Sequence, residues 1–213
     1  MRFVLAAFVA TNLISEVANA TSIPMFNYSG GFSQPGVGQI ATWGFQFTPT
    51  ASIIVDGLGY FDAGSDGLVG GHRVGIWATN GTLLASAVVN TSNSSLLGPS
   101  VDGGQYRYTS IADLALSQGV TYVFGAAVEG IADVVYVGGT QLSPSPLVNI
   151  ASTGVYDVTS TGFNFPTFTI GNTYGLGSFT ARQGSEVPEP ASLSLVALGL
   201  VAASMLRNRK ARS

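Results

Sequence analysis

The chain has 213 residues, 46% of them hydrophobic, 9% charged and 28 of them glycine, which is too apolar for disorder and too poor in Lys and Glu for a helical bundle or coiled coil. A net charge of -3 with only eight Lys plus Arg leaves no basic face to neutralise a phosphate backbone, so nucleic-acid binding is excluded as a function class. Cysteine is absent, which removes disulfide staples, thiolate metal sites and thiol nucleophiles together.

The first element is a processing signal. Arg2 precedes the apolar run from Phe3 to Ile14, polarity returns at Ser15 and Glu16, and Ala18-Asn19-Ala20 supplies the small residues of a cleavage site. Residues 1–20 therefore read as a helical secretory signal peptide, with a signal peptidase as the implied processing partner. A buried N-terminal helix would want a polar face at helical spacing, and Phe3 to Phe8 offers none. Export makes the missing cysteines informative, because the exported domain must be held by its core.

Residues 21–186 form the expected domain. Three arginines (Arg73, Arg107 and Arg182) stand against nine acidic residues there, so the segment is more acidic than the whole chain. Short β-branched and aromatic runs alternate with Gly, Asn, Ser and Pro, the pattern of many antiparallel strands. Strands are predicted near Ile40–Phe47, Ile53–Phe61, Arg73–Ala78, Thr82–Val89, Gln105–Thr109, Val120–Glu129, Val134–Val137 and Phe163–Ile170. Asn80-Gly81 between apolar strands predicts a two-residue hairpin with a type I′ turn. Asn93 to Pro99 reads as a long exposed loop, and Ile111 to Leu116 allows only a turn or so of helix. The expected fold class is all-β, an antiparallel β-sandwich or jelly-roll, flanked by the signal helix and a C-terminal hydrophobic helix.

Little in this domain points to catalysis. His72 is the one histidine, so sites built on paired histidines are impossible, and its place beside Gly70 and Gly71 predicts an exposed or strand-edge residue. Gly-x-Ser-x-Gly and the phosphate-cradling glycine motifs are missing. Glu129, Asp133 and Asp157 are available for glycoside hydrolysis but without a diagnostic spacing. The five Asn-x-Ser/Thr triplets, at Asn19, Asn27, Asn80, Asn90 and Asn93, are assigned no role.

Two weaker binding signals remain. Asp62 and Asp66 in the Gly-rich loop Asp62-Ala63-Gly64-Ser65-Asp66-Gly67, with Asp56 a strand earlier, could supply oxygen ligands to Ca²⁺, the single cofactor the sequence suggests. The bidentate Glu of a twelve-residue calcium loop is missing, and an Asx-type turn is the competing reading. Tyr60, Trp77, Tyr106 and Tyr108 could stack on sugar rings if exposed, and Tyr106 and Tyr108 share a strand face.

Residues 187–213 close the chain with a second signal. Val187-Pro188-Glu189-Pro190 precedes an apolar span from Ala191 to Leu206, and Arg207, Arg209, Lys210 and Arg212 follow. The span is about 24 Å of helix, short of the roughly 30 Å hydrocarbon core, and its basic end would stay cytoplasmic. The prolines keep the box extended, a form a membrane peptidase can grip. Together these residues resemble the PEP-CTERM sorting signal of Gram-negative bacteria, also catalogued as the ice-binding protein C-terminal domain. That resemblance implies recognition of Pro188-Glu189-Pro190 by an exosortase, transient inner-membrane contact, and delivery to the cell surface or to an exopolysaccharide-containing extracellular matrix. It gives no reason to infer ice binding.

A second resemblance lies in the domain. Val55-Asp56-Gly57-Leu58-Gly59-Tyr60-Phe61-Asp62, Asp66-Gly67-Leu68, His72-Arg73-Val74-Gly75-Ile76-Trp77 and Gly81-Thr82-Leu83-Leu84-Ala85 resemble DUF4082, over roughly Trp43 to Glu129. It implies a jelly-roll-like module of the kind found beside carbohydrate-active or adhesive domains, with motif residues that serve turns and core. The expected function is a secreted, non-catalytic surface or matrix protein. The alternatives are a carbohydrate-binding module of the exopolysaccharide and, behind it, a glycoside hydrolase.

Overall fold

Where apolar residues alternate with small or polar ones, a strand buries one face, and two such sheets close their apolar faces on each other. The computed structural model describes residues 21–29, 32–35, 41–100, 103–128, 134–137, 140–142, 145–158, 162–171 and 175–184. Among the described residues fifteen strands run in chain order: β1 Ile23–Pro24, β2 Asn27–Ser29, β3 Phe32–Pro35, β4 Ala41–Pro49, β5 Ile53–Ala63, β6 His72–Ala78, β7 Leu83–Val89, β8 Ser95–Leu96, β9 Gly104–Leu116, β10 Tyr122–Val128, β11 Val134–Val137, β12 Thr140–Leu142, β13 Val148–Asp157, β14 Phe168–Ile170 and β15 Gly177–Gln183. One sheet has the order β1-β15-β5-β9-β8 and the other β14-β13-β4-β10-β6-β7, with β3–β11 and β2–β12 as separate two-stranded ladders. Among the described residues every strand pairing is antiparallel, and the two large sheets make the expected all-β sandwich.

The core lies between the sheets and is dominated by phenylalanine. Phe45 of β4 stacks on its cross-strand neighbour Phe124 of β10 at 5.0 Å, and Phe47 meets Phe179 of the opposite sheet at 4.7 Å. Phe26, just beyond β1, closes the group edge-on against Phe45 at 4.5 Å. All five rings are buried with Ile53, Val55, Leu58, Val74 and Ile76. In a chain without cysteines, this burial supplies the cohesion a disulfide would otherwise add.

Each sheet also buries part of its outer face. On the five-stranded sheet Phe61, Tyr106 and Tyr108 cluster together, and the Tyr106 hydroxyl donates to the Gly175 carbonyl at 2.9 Å. On the six-stranded sheet Trp77, Val123 and Val155 are covered by Phe163 and Phe165. Gly125 lies beneath Trp77, where an added Cβ would come 3.0 Å from the indole and 2.8 Å from the Thr42 methyl.

Several local expectations are corrected. The Asn80-Gly81 turn joins β6 and β7, but Gly81 alone of the pair has positive φ, at 88°. Gly81 N donates to Ala78 O at 3.0 Å and Ala78 N to Thr82 O at 2.9 Å, so this is a three-residue type I turn with a glycine bulge. The Asn80 side chain caps it by accepting from Thr82 N at 3.0 Å, which favours negative φ at Asn80. Ile111 to Leu116 is strand, because this end of β9 pairs with β5, setting Leu114, Ala115 and Leu116 opposite Val55, Ile54 and Ile53. Of Phe163–Ile170 only Phe168–Ile170 is strand; Pro166 has no N–H to give a ladder, and the preceding residues pack on Trp77 instead. The exposed stretch Asn93 to Pro99 contains the short strand β8.

Strands β13 and β15 escape sequence patterning. In β13 the register against β4 shifts between Ile150 and Gly154, which breaks the alternation. In β15 both faces are covered from Gly177 to Ala181, so small and polar residues sit in a buried strand. The residues expected to form the two flanking helices, and the expected processing sites Ala18, Ala20, Val187, Pro188, Glu189 and Pro190, lie outside the described residues.

Phe124→Ala should lower unfolding free energy by about 3–5 kcal/mol in a denaturant titration, because it removes the ring shared by β4, β10 and Phe179. A loss below about 1 kcal/mol would show that the cluster does not carry the core.

Candidate functional site

Strand β5 carries one extra residue at Asp56 against β15, where Val55 and Gly57 pair with Ala181 and Thr180; on its other side the extra residues lie in β9, where Val55 and Gly57 pair with Leu114 and Ser110. The bulge turns Asp56 to the outer face and lets Val55 and Leu58 both enter the core. Asp56 Oδ1 accepts from Thr180 Oγ1 at 2.8 Å, and Oδ2 accepts from Arg182 Nη1 at 2.9 Å and from the Ser22 hydroxyl. Arg182 Nη2 donates on to Asp113 Oδ2 at 2.5 Å, and that hydrogen bond, with the two nearby carboxylates, holds the guanidinium more firmly protonated than usual.

A cleft of about 430 Å³ opens over this bulge, lined by Asp56 and Gly57, the β8 side, the β9 segment Tyr108 to Ile111, Thr180 and Ser22. Its β8 wall is fixed at both ends. Thr109 Oγ1 donates to Asn93 O at 2.8 Å, while Leu97 N donates to Tyr106 O at 3.1 Å and Gln105 Nε2 to Gly98 O at 2.5 Å.

A second polar group lies inside one end of the sandwich. Arg107 Nε meets Asp62 Oδ2 at 2.5 Å, with the two side chains 13% and 1% exposed. Asp62 also accepts from Gly67 N at 3.2 and 3.1 Å, closing the turn in which Ser65 has a positive φ of 57°. His72, expected at an exposed or edge position, is 4% exposed on the interior strand β6, its ring stacked on Tyr60 at 3.9 Å. The third domain arginine, Arg73, lies 5.6 Å from the Phe163 ring centroid.

These contacts correct two of the expected sites. The four candidate stacking residues are covered: Tyr60 and Tyr106 are 1% exposed, Trp77 3% and Tyr108 9%. Tyr106 and Tyr108 do share a face, at 6.2 Å between ring centroids, but that face is a satellite core. The expected calcium set is not gathered either. Asp56 is bound to Arg182 and Asp62 to Arg107, Asp66 is exposed, and among the described residues no three His, Cys, Asp or Glu side chains are placed to hold a metal. In the Asp62 loop the carboxylate reaches the Gly67 amide five residues on, a wider closure than the two-residue reach of an Asx turn. Of the hydrolase candidates Asp157 is buried, and Glu129 and Asp133 lie outside the described residues.

The partners Ser22, Thr180 and Arg182 escape sequence reasoning because they lie 34, 124 and 126 positions from Asp56. The one available hint is scarcity. With three arginines in an acidic domain, each is apt to be committed to a carboxylate or a ring.

Two outcomes follow. Arg107→Met should destabilise the fold by about 3–5 kcal/mol, because it leaves the Asp62 carboxylate buried without its cation. Double substitution with Asp62→Asn should recover part of that loss in thermal unfolding, and equal melting of the single and double variants would contradict the pairing. Burial pushes the Tyr106 phenol well above its ordinary value, with Tyr108 and Tyr28 adding to the effect, and burial raises Tyr108 too. Because the folded values lie above the unfolded ones, this contribution is fully present below about pH 10 and is lost as pH rises through the folded values. Alkaline titration should show phenolate absorbance from these two tyrosines only as the fold is lost; their ionisation with native circular dichroism intact would contradict it.

Comparison with known families matches the sequence to two descriptions. The family described as Domain of unknown function (DUF4082) matches residues 32–176, wider than the motif stretch suggested, and the PEP-CTERM protein-sorting motif matches residues 186–210. No curated protein matches the chain significantly. With well over half its length matched, the chain belongs to the DUF4082 family, and its sorting motif marks it as an exported protein handled by an exosortase.

Proposed function

We propose that the protein is a non-catalytic module displayed at the cell surface or in the extracellular matrix. A signal peptidase cuts after Ala20, residues 191–206 hold the chain transiently in the inner membrane, and an exosortase acts at Pro188-Glu189-Pro190. The observation that carries this reading is the sorting motif at residues 186–210, placed behind a β-sandwich. Supporting it, the domain's arginines are engaged in ion pairs or over a ring, and its histidine is buried against Tyr60. Among the described residues no helix is long and apolar enough to cross a membrane; the Ala191 to Leu206 span lies outside them.

Carbohydrate binding is the second reading, and the cleft at Asp56 favours it. The tyrosines and tryptophan first considered are buried, whereas the cleft presents hydroxyls and a carboxylate to solvent. The hydrolase reading has no described pair of facing carboxylates to support it.

Mass spectrometry of the protein recovered from cells and from extracellular material tests the processing route. Termini at Thr21 and within or just before Val187 to Pro190 are expected. A recovered species ending intact at Arg212-Ser213 would make the tail a plain membrane anchor and overturn the sorting step.

A further inference from the structure

We infer that the cleft over the Asp56 bulge is a binding site for one unit of a neutral polysaccharide. This rests on the carbohydrate-binding reading above and assigns it a place and a ligand chemistry. Four features of the cleft point the same way.

The first is charge. Asp56 repels an anion from the floor of the cleft, and a cation would have to compete with Arg182, which already holds the carboxylate at 2.9 Å. A charged ligand is therefore disfavoured in either sign, and an uncharged one is not.

The second is the direction of the hydrogen bonds. The Ser22 and Thr180 hydroxyls both donate to Asp56, so what they turn toward the cleft is acceptor capacity. A carboxylate offers roughly four acceptor sites, and among the described residues Oδ1 takes only the Thr180 hydroxyl. The floor thus lacks donors to match its acceptors, which is the complement of a ligand rich in hydroxyl protons. Ser95 and Ser110, both exposed on the rim, can donate as well as accept.

The third is the wall. Leu96 and Leu97 are exposed apolar side chains lining the cleft, and Ile111, half-buried and packed on the central core, borders it as well. A pyranose ring presents hydroxyls at its rim and C–H groups on its face, and so meets both surfaces at once. The fourth is size, since about 430 Å³ lies within the roughly 300–1,000 Å³ of small-ligand clefts.

A competing aromatic surface exists and is less suited. Trp43 stacks on Tyr156 at 5.0 Å and 19°, and Tyr156 leans on the exposed Phe168 at 5.5 Å. These rings turn their faces to one another, whereas sugar stacking needs a face turned to solvent.

The test uses the full chain purified in mild detergent on a printed array of neutral and anionic bacterial oligosaccharides, followed by titration calorimetry with the best-bound neutral oligosaccharide. Ser95→Phe and Ser110→Phe fill the cleft from exposed positions, and Phe168→Ser alters the aromatic row. Thermal unfolding of each variant confirms that it is folded. The expected result is retention on neutral oligosaccharides, affinity lowered at least tenfold by either cleft variant, and no change in Phe168→Ser. Binding that survives both cleft variants, or that is lost in Phe168→Ser, would overturn this assignment while leaving carbohydrate binding in place. Failure of the parent chain to bind any neutral oligosaccharide would overturn the assignment and the carbohydrate reading together.

Discussion

Strand β5 places Val55 and Leu58, three residues apart, in the same core, and a regular strand cannot do this because its faces alternate every second residue. The bulge at Asp56 resolves the conflict. It advances the phase of β5 by one residue, so that Ile53 and Val55 before it, and Leu58 and Tyr60 after it, all face the opposing sheet. The same insertion turns a carboxylate to the outside where Arg182 and Thr180 of β15 can reach it. Core and cleft thus share one backbone irregularity.

That shared origin explains the distribution of the few charges. The structure gives each domain arginine a fixed partner, and the partners lie at a bulge, at a turn and against a loop ring. These are the places where strand patterning alone leaves the backbone least determined. Asp62 illustrates the point: its carboxylate holds the Gly67 amide of the turn and the Arg107 side chain of the neighbouring strand, tying a loop that carries four glycines to the sheet. With no disulfide available outside the cytoplasm, such ties and the phenylalanine cluster maintain a unique packing.

The order of the strands also separates structural aromatics from available ones. Trp77, Tyr106 and Tyr108 point away from the central core, and on sequence alone an outward aromatic in a half-buried strand is exposed. Here the outer faces are themselves covered, by Phe163 and Phe165 on one sheet and by the Tyr106 contact with Gly175 on the other. The covering residues come from segments far along the chain, beyond the reach of any local pattern.

The amino-acid sequence by itself determined the all-β class, most of the central strands, the hairpin between β6 and β7, and the C-terminal sorting signal. These depend on short-range regularities: side-chain alternation, turn residues, and the order of charged and apolar blocks. Tertiary structure alone decided that Ile111 to Leu116 is strand, that His72 is buried, that Asp56 and Asp62 face arginines, and which hydroxyls meet at the cleft. Each of these follows from strand register and sheet order, which bring residues more than a hundred positions apart within hydrogen-bonding distance. The opening composition, apolar and poor in charge, acquires its meaning at that level: the domain's few arginines are placed where the sandwich departs from regularity, and the cleft lies beside one of them.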